Sequence, residues 1–313
     1  MRMILSLALA LGLGTGVSAQ QEVTLGTGAA TLTYAPVGDI LATAVTGAGE
    51  LTLRPVPSNG SLDNIRAIAE GRLDTGFAQS DIAFWAYEGT SIWSGNPPVE
   101  GLRTIAALYE EHIHLVTLAD SGIETVTDLR NRRISLDDVG SGTHVDARLI
   151  LEAAGLRSDE FAVETMTGQA AATALEAGEI DAFFTVAGYP TAAIADLAAR
   201  TAIRLVPIEG EIAVELLWRH GFLARSEIPA EVYPGVSGVE TVSVGAHWYT
   251  SDAVPEAVVY ELTRSLFAEG TQARLVEGHP KGREMTPETA LDGVAVPLHP
   301  GAVRFYEESG VME

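Results

Sequence analysis

The chain has 313 residues, 47% of them apolar and 19% charged, a globular balance sufficient for one large domain or two medium ones. Its 42 acidic residues against 19 basic ones give a formal charge of −23, which argues against nucleic acid or an anionic lipid surface as a partner. The absence of cysteine excludes disulfides, a thiol nucleophile and Cys-ligated metal.

At the start, Arg2 precedes the apolar run "MILSLALALGLG", and Val17-Ser18-Ala19 supplies a small-x-small ending. This is the pattern of an export signal over 1–19, cleaved after Ala19. No later apolar run is long enough to cross a bilayer, so the mature chain is expected to be soluble. A recurring unit follows, in which a short apolar run leads through a Gly/Ser/Asn loop into a helical pattern. Strands are expected at 22–28, 51–56 and 73–80, with helices at 35–45, 62–71 and 81–89. The same alternation continues with strands at 114–119, 132–136, 161–166, 180–187, 203–208 and 240–250. Helices are expected at 144–155, 170–178, 190–198 and 255–270. Alternating strands and helices indicate an α/β fold with a largely parallel sheet, whose ligands sit where loops leave the carboxyl ends of strands. Two lobes follow, 20–112 with 245–313 and 113–244, joined by hinge strands near 113–119 and 240–250.

Four polar loops mark strand ends. "GSGTH" (140–144) lies between a strand and a helix whose expected N-cap is Thr143, and its glycines let N–H groups approach an anion. It lacks the Gly-Lys-Ser/Thr of a phosphate loop, and Ser141 is misplaced for a nucleophile elbow. His144 on a helix start is expected to point away from Ser141, which disfavours a catalytic pair. "GTGAATLTYAP" (26–36) holds Thr27, Gly28 and Tyr34, with Thr31 where a dinucleotide loop has its third glycine. "SNGSLDN" (58–64) reads as a turn with Ser58 and Asn59 into a helix capped by Ser61. "FAQSD" (77–81) puts Gln79 at a strand end. Together the loops are expected to converge on one cleft. "EEHIH" (110–114) has ligating side-chain types, but without a nearby third histidine it reads as an exposed charged loop entering the hinge, and no metal is expected.

The chain resembles, nearly end to end, the TAXI-type solute-binding proteins of TRAP transporters. The stretches that carry this are "GTG" with Tyr34 and Pro36, "SNGSLDN", "GRLDTGFAQSD", "LRTIAALYEEHIHLVTLADSGIETVTDLRNRRISL", "GSGT", "IDAFFTVAGYP" and "VPLHPGAVRFYEESG". The resemblance implies a periplasmic, two-lobed binding-protein fold of the type II kind that closes on a small organic anion. Glutamate, glutamine and dicarboxylates such as 2-oxoglutarate are the solutes it implies, with delivery to an ion-gradient-driven TRAP permease. A monomer with no cofactor and no catalysis is expected; an enzyme or a ligand sensor on the same fold is the alternative. By position the resemblance places ligand contacts on Thr27, Gly28, Tyr34, Ser58, Asn59, Gln79, Ser141, Gly142, Thr143, Ala187 and Gly188. The chain departs from the family pattern at Ala29, Ala30, Thr31, Leu32 and Ala35, implying a narrower or more apolar lining there.

Overall fold

The computed structural model describes residues 20–48 and 51–312, so the expected export signal lies outside the described residues. Among these, no helix is long and apolar enough to cross a membrane.

The chain first builds half of a mixed sheet. Strands β1 (Gln21–Gly26), β2 (Leu51–Val56) and β3 (Thr75–Gln79) run parallel, joined by α1 (Tyr34–Ala48) and α2 (Ser61–Ala69), and α3 (Ser80–Glu88) leaves β3 directly. Their apolar faces pack with Trp248, Tyr306 and Leu262 on one side and with Ile65, Ile82 and Trp85 on the other. Strand β4 (Leu102–Leu118) then crosses into a second half. There β5 (Arg133–Ser135), β6 (Ala162–Glu164) and β7 (Ala182–Ala187) alternate with α4 (Gly142–Ala153), α5 (Gly168–Glu176) and α6 (Ala192–Arg200). Short β8 (Ile203–Leu205), α7 (Gly210–Arg219) and β9 (Ala224–Ile228) complete it. Strand β10 (Val239–Ser251) returns antiparallel to β4, and α8 (Glu256–Leu266), α9 (Glu269–Gly278) and α10 (Pro300–Ser309) pack on the first half.

The sheet order is β2-β1-β3-β10-β4-β7-β5-β6, with β8 on β4 and β9 on β10. Thr250 to Ala246 of β10 pair with β3 of the first half, whereas Ser243 to Val239 pair with β9 of the second. Likewise, β4 pairs with β7 only from His112 to Thr117. These two long strands therefore link the lobes, and their passage lies around 109–112 and 243–246.

The long β4 corrects the reading of 110–114 as an exposed loop. Glu111, His112 and His114 are buried in mid-strand. Each side chain finds a partner across the fold: Glu111 in Tyr34, His112 Nε2 in Ser226 and His114 in Tyr233, while His112 Nδ1 has none. The predicted helix over 255–270 is two helices, broken between Leu266 and Glu269. Helix α10 starts at Pro300 behind His299, whose Nδ1 accepts from Gly301 N while Nε2 donates to Val254 O.

Gly301 is where α10 presses on α8. A Cβ there would stand 2.3 Å from Glu256 O and 2.6 Å from Tyr260 N, both backbone atoms that cannot step aside. Gly301→Ala is therefore expected to cost about 1–3 kcal/mol by overpacking. Denaturant unfolding of the pure variant checks this; an unchanged midpoint contradicts it.

Candidate functional site

The strand-end loops meet at a small cavity between the lobes. Its lining includes Gly28, Tyr34, Ser61, Gln79, Glu111, Asp137 and the Ser141–Thr143 turn. Its volume is about 30 Å³, room for one or two waters. The lobes are closed on each other around it. Thr33 Oγ1 donates to Gly188 O at 2.7 Å, Asp63 N to Gly140 O at 3.2 Å, and Gln79 Nε2 to Asp146 Oδ2 at 3.0 Å. Apolar contacts reinforce the closure: the Phe84 and Phe222 rings meet at a tilt with centroids 4.9 Å apart, and Val145 of α4 joins the α2–α3 cluster.

Of the eleven residues expected here, Gly28, Tyr34, Asn59, Gln79, Ser141, Gly142 and Thr143 line this cavity. The other four lie just outside it. Thr27 O receives Ser58 Oγ at 2.8 Å and Asn64 Nδ2 at 2.7 Å, so Thr27 and Ser58 brace the loops. Ala187 ends β7 opposite His112, and Gly188 carries the carbonyl that Thr33 grips.

Two expected caps are reassigned. Ser141, not Thr143, is the N-cap of α4: its Oγ accepts from His144 N at 3.1 Å and donates to Asp138 O at 2.8 Å. Thr143 Oγ1 instead accepts from Val186 N at 3.0 Å, tying α4 to β7. Ser61 is the first residue of α2 rather than its cap, because its hydroxyl turns inward to accept from Gln79 N at 3.1 Å. The His144 ring is bonded by Arg148 Nε at 2.9 Å and lies 3.4 Å from Asp137 O, so it forms no pair with the Ser141 hydroxyl.

Sequence reasoning missed the carboxyl groups. Tyr34 OH donates to Glu111 Oε2 at 2.8 Å. Burial, more than the neighbouring Asp81 charge, pushes Glu111 up to about 8 despite the Tyr34 bond. Burial also raises Asp137 to about 7, against the opposing pull of the Asp138 N–H. Asp137 sits in the left-handed region at φ 68, which an aspartate tolerates better than most residues and which turns the chain into α4. The signal for Glu111 was present in "EEHIH" but was local, whereas its burial is not. No arginine or lysine lines the cavity. Among the described residues, no group of three or more His, Asp or Glu side chains could hold a metal ion.

On the opposite face of β4, Glu110 and His112 open onto a separate cleft of about 1040 Å³ with Ser226 and Lys281. Ser226 Oγ lies 2.7 Å from His112 Nε2. Burial holds that imidazole down at about 3, so it stays neutral.

The sequence profile of the NMT1-like family matches residues 25–310. A solved structure from Bordetella bronchiseptica RB50 shares 16% identity, covers 94% of this chain and 90% of its own, and superposes with a TM-score of 0.57. A Listeria monocytogenes structure named for L-cystine ABC transport shares 12% identity over 88% of this chain and 98% of its own, with a TM-score of 0.51. The periplasmic aliphatic sulphonate binding protein SsuA from Escherichia coli shares 13% identity over 93% of this chain and 84% of its own, with a TM-score of 0.47. The fold is the two-lobed α/β fold of solute-binding proteins.

Proposed function

The chain belongs to the NMT1-like family, and from that premise we propose that it is a periplasmic capture protein that closes its two lobes on a small organic solute. It hands the solute unchanged to a membrane permease, and the resemblance to TAXI-type proteins favours a TRAP permease as that partner. The observation that carries this reading is the convergence of loops from both lobes on one cavity, with Tyr34, Ser61 and Gln79 facing the α4 turn. A solute touching both walls gains contacts only in the closed form, so its binding shifts the hinge equilibrium toward closure. The Ser141 hydroxyl is bonded to the His144 backbone N–H and not to its ring, which Arg148 holds, and this is why binding is preferred to catalysis.

The lining narrows the solute class. With no cation on the walls, a carboxylate is held by neutral donors: the α4 N–H groups, hydroxyls, and Glu111 in its protonated form. A dianion such as 2-oxoglutarate brings two charges to walls that carry no cation and two carboxyl groups whose ionisation burial already opposes. A zwitterion such as glutamine brings an ammonium to offset its own carboxylate, and we favour it. Mass spectrometry of solute released from denatured protein, with calorimetry of glutamine, glutamate and 2-oxoglutarate, tests this directly. Gln79→Ala and Thr143→Ala are each expected to weaken binding about tenfold, one hydrogen bond's worth, with the protein still folded. Unchanged calorimetric affinity in both variants refutes the site.

A further inference from the structure

Beside the cavity, α3 of one lobe faces α4 of the other through two carboxyl groups. Asp81 in the first turn of α3 and Asp146 in α4 are each 1% exposed. The two side chains act on each other's ionisation across the lobe boundary. Two buried carboxylates with no cation between them cannot both stay ionised, so one member of the pair holds a proton. The remaining partners show where the proton lies. Ile82 N donates to Asp81 Oδ1 at 2.7 Å, and Gln79 Nε2 donates to Asp146 Oδ2 at 3.0 Å. Asp81 Oδ2 and Asp146 Oδ1 are left buried without a hydrogen-bond partner, one on each side of the lobe boundary. A second orphan points the same way: Gln79 Oε1 is buried, unpaired and turned toward Gly142 at the cavity wall.

Nothing nearby neutralises the pair. Glu111 of β4, when ionised, only raises Asp146 further, and the hydroxyls of Tyr249 on β10 and Tyr34 on α1 are held protonated by burial. His247 of β10 is pushed down to about 4 by burial, and His144 of α4 is lowered for the same reason. Arg148 spends its Nε on the His144 ring, and Lys281, whose charge reaches Glu111, is paired with Glu284 at 2.7 Å.

We propose that Asp81 and Asp146 form an inter-lobe proton site, so that closing the cleft binds one proton between them and opening it releases that proton. The proposal rests on the hinge motion of the capture reading, and it makes the proton a second ligand of the closed form. When the lobes part, both groups return to water and to the ordinary aspartate range near ~4. Burial raises both in the closed form, and the Asp81 charge raises Asp146 further. Closure is therefore favoured in full below the ordinary range and loses ground as pH rises through the raised values, by up to tenfold per pH unit. Solute released by lobe opening is accompanied by this proton.

The absence of native cysteine makes the test clean. Glu88→Cys and Glu152→Cys on exposed faces of α3 and α4 take a pair of spin labels in the full mature chain, and the inter-label distance is measured at about pH 5 and about pH 9, on either side of the window argued above. The distance is expected to lengthen at the higher pH in the otherwise native chain. Asp146→Asn, which donates to Asp81 without needing the proton, is expected to remain closed at both. Asp81→Asn is the second variant should the first not fold, and the same outcome is expected. Equal pH dependence in native and Asn chains overturns the proton site, as does a native distance that ignores pH. Adding L-glutamine, L-glutamate or 2-oxoglutarate separates the two claims. Solute-driven shortening with pH dependence unaltered by the Asn variants leaves capture standing and overturns the proton site. A pH response abolished by Asn, with no shortening by any of the three, supports the proton site and overturns the proposed solute class.

Discussion

Replacing Trp248 with alanine is expected to lower the unfolding free energy by about 3–5 kcal/mol, the range for emptying a fully buried large aromatic site. Trp248 is 0% exposed in β10, paired in register with Phe77 and Ala106. Its ring meets Phe77 edge-on at 6.0 Å, and Phe77 meets Tyr34 edge-on at 5.6 Å. Its indole Nε1 has no hydrogen-bond partner, so the loss is one of packing alone. Because β10 connects the lobes, the cavity left behind cannot collapse without shifting a hinge strand. The stack ends on Tyr34, whose hydroxyl holds Glu111, so solute affinity is expected to fall as well. Urea unfolding with an unchanged slope and a midpoint shift of that size checks the first effect. A loss below about 1 kcal/mol, within the range of tolerated core swaps, contradicts it.

The second large effect is on binding, not stability. A Cβ at Gly142 would stand 1.4 Å from Gln79 Oε1 and 2.3 Å from Gln79 Cδ. Gly142→Ala therefore expels the carboxamide, breaks its bond to Asp146 and pushes it into a cavity of about 30 Å³. Alanine in the first turn of α4 is itself favourable to the helix by roughly 0.5–1 kcal/mol. That gain offsets part of the lost Asp146 bond, so the variant is expected to melt close to or slightly below the native chain while binding solute about 10–100-fold more weakly, the worth of one charge-assisted bond. Calorimetry with thermal denaturation of the same sample checks both halves. Native affinity in this variant contradicts the placement of Gln79 against α4.

Much of the scaffold was legible. The strand ends at Gly26, Val56, Gln79 and Ala187 fall where apolar runs give way to polar or glycine-bearing segments, because strand patterning acts within a few residues. The first half of β4 was not, since "ALYEEHIHL" breaks the apolar run with charges that look solvated until Tyr34, Ser226 and Tyr233 satisfy them from elsewhere. Polar β9 was missed for a related reason: "ARSEI" becomes a strand by pairing along β10. At the site, the small residues of "GSGTH" were found, but their roles were exchanged. Whether Ser141 or Thr143 caps α4 depends on which hydroxyl Val186 N claims.

The sequence by itself determined the alternation of strands and helices, the polar loops at strand ends and therefore a sheet with a cleft along those ends. Each follows from periodicity and turn chemistry over a few neighbouring residues. Only the tertiary structure decided which carboxyls meet. Tyr34 and Glu111 are 77 positions apart, and Gln79 and Asp146 are 67 apart. Such pairs are fixed by where β4 and β10 pass between the lobes, and it is burial there that raises Glu111, Asp81 and Asp146.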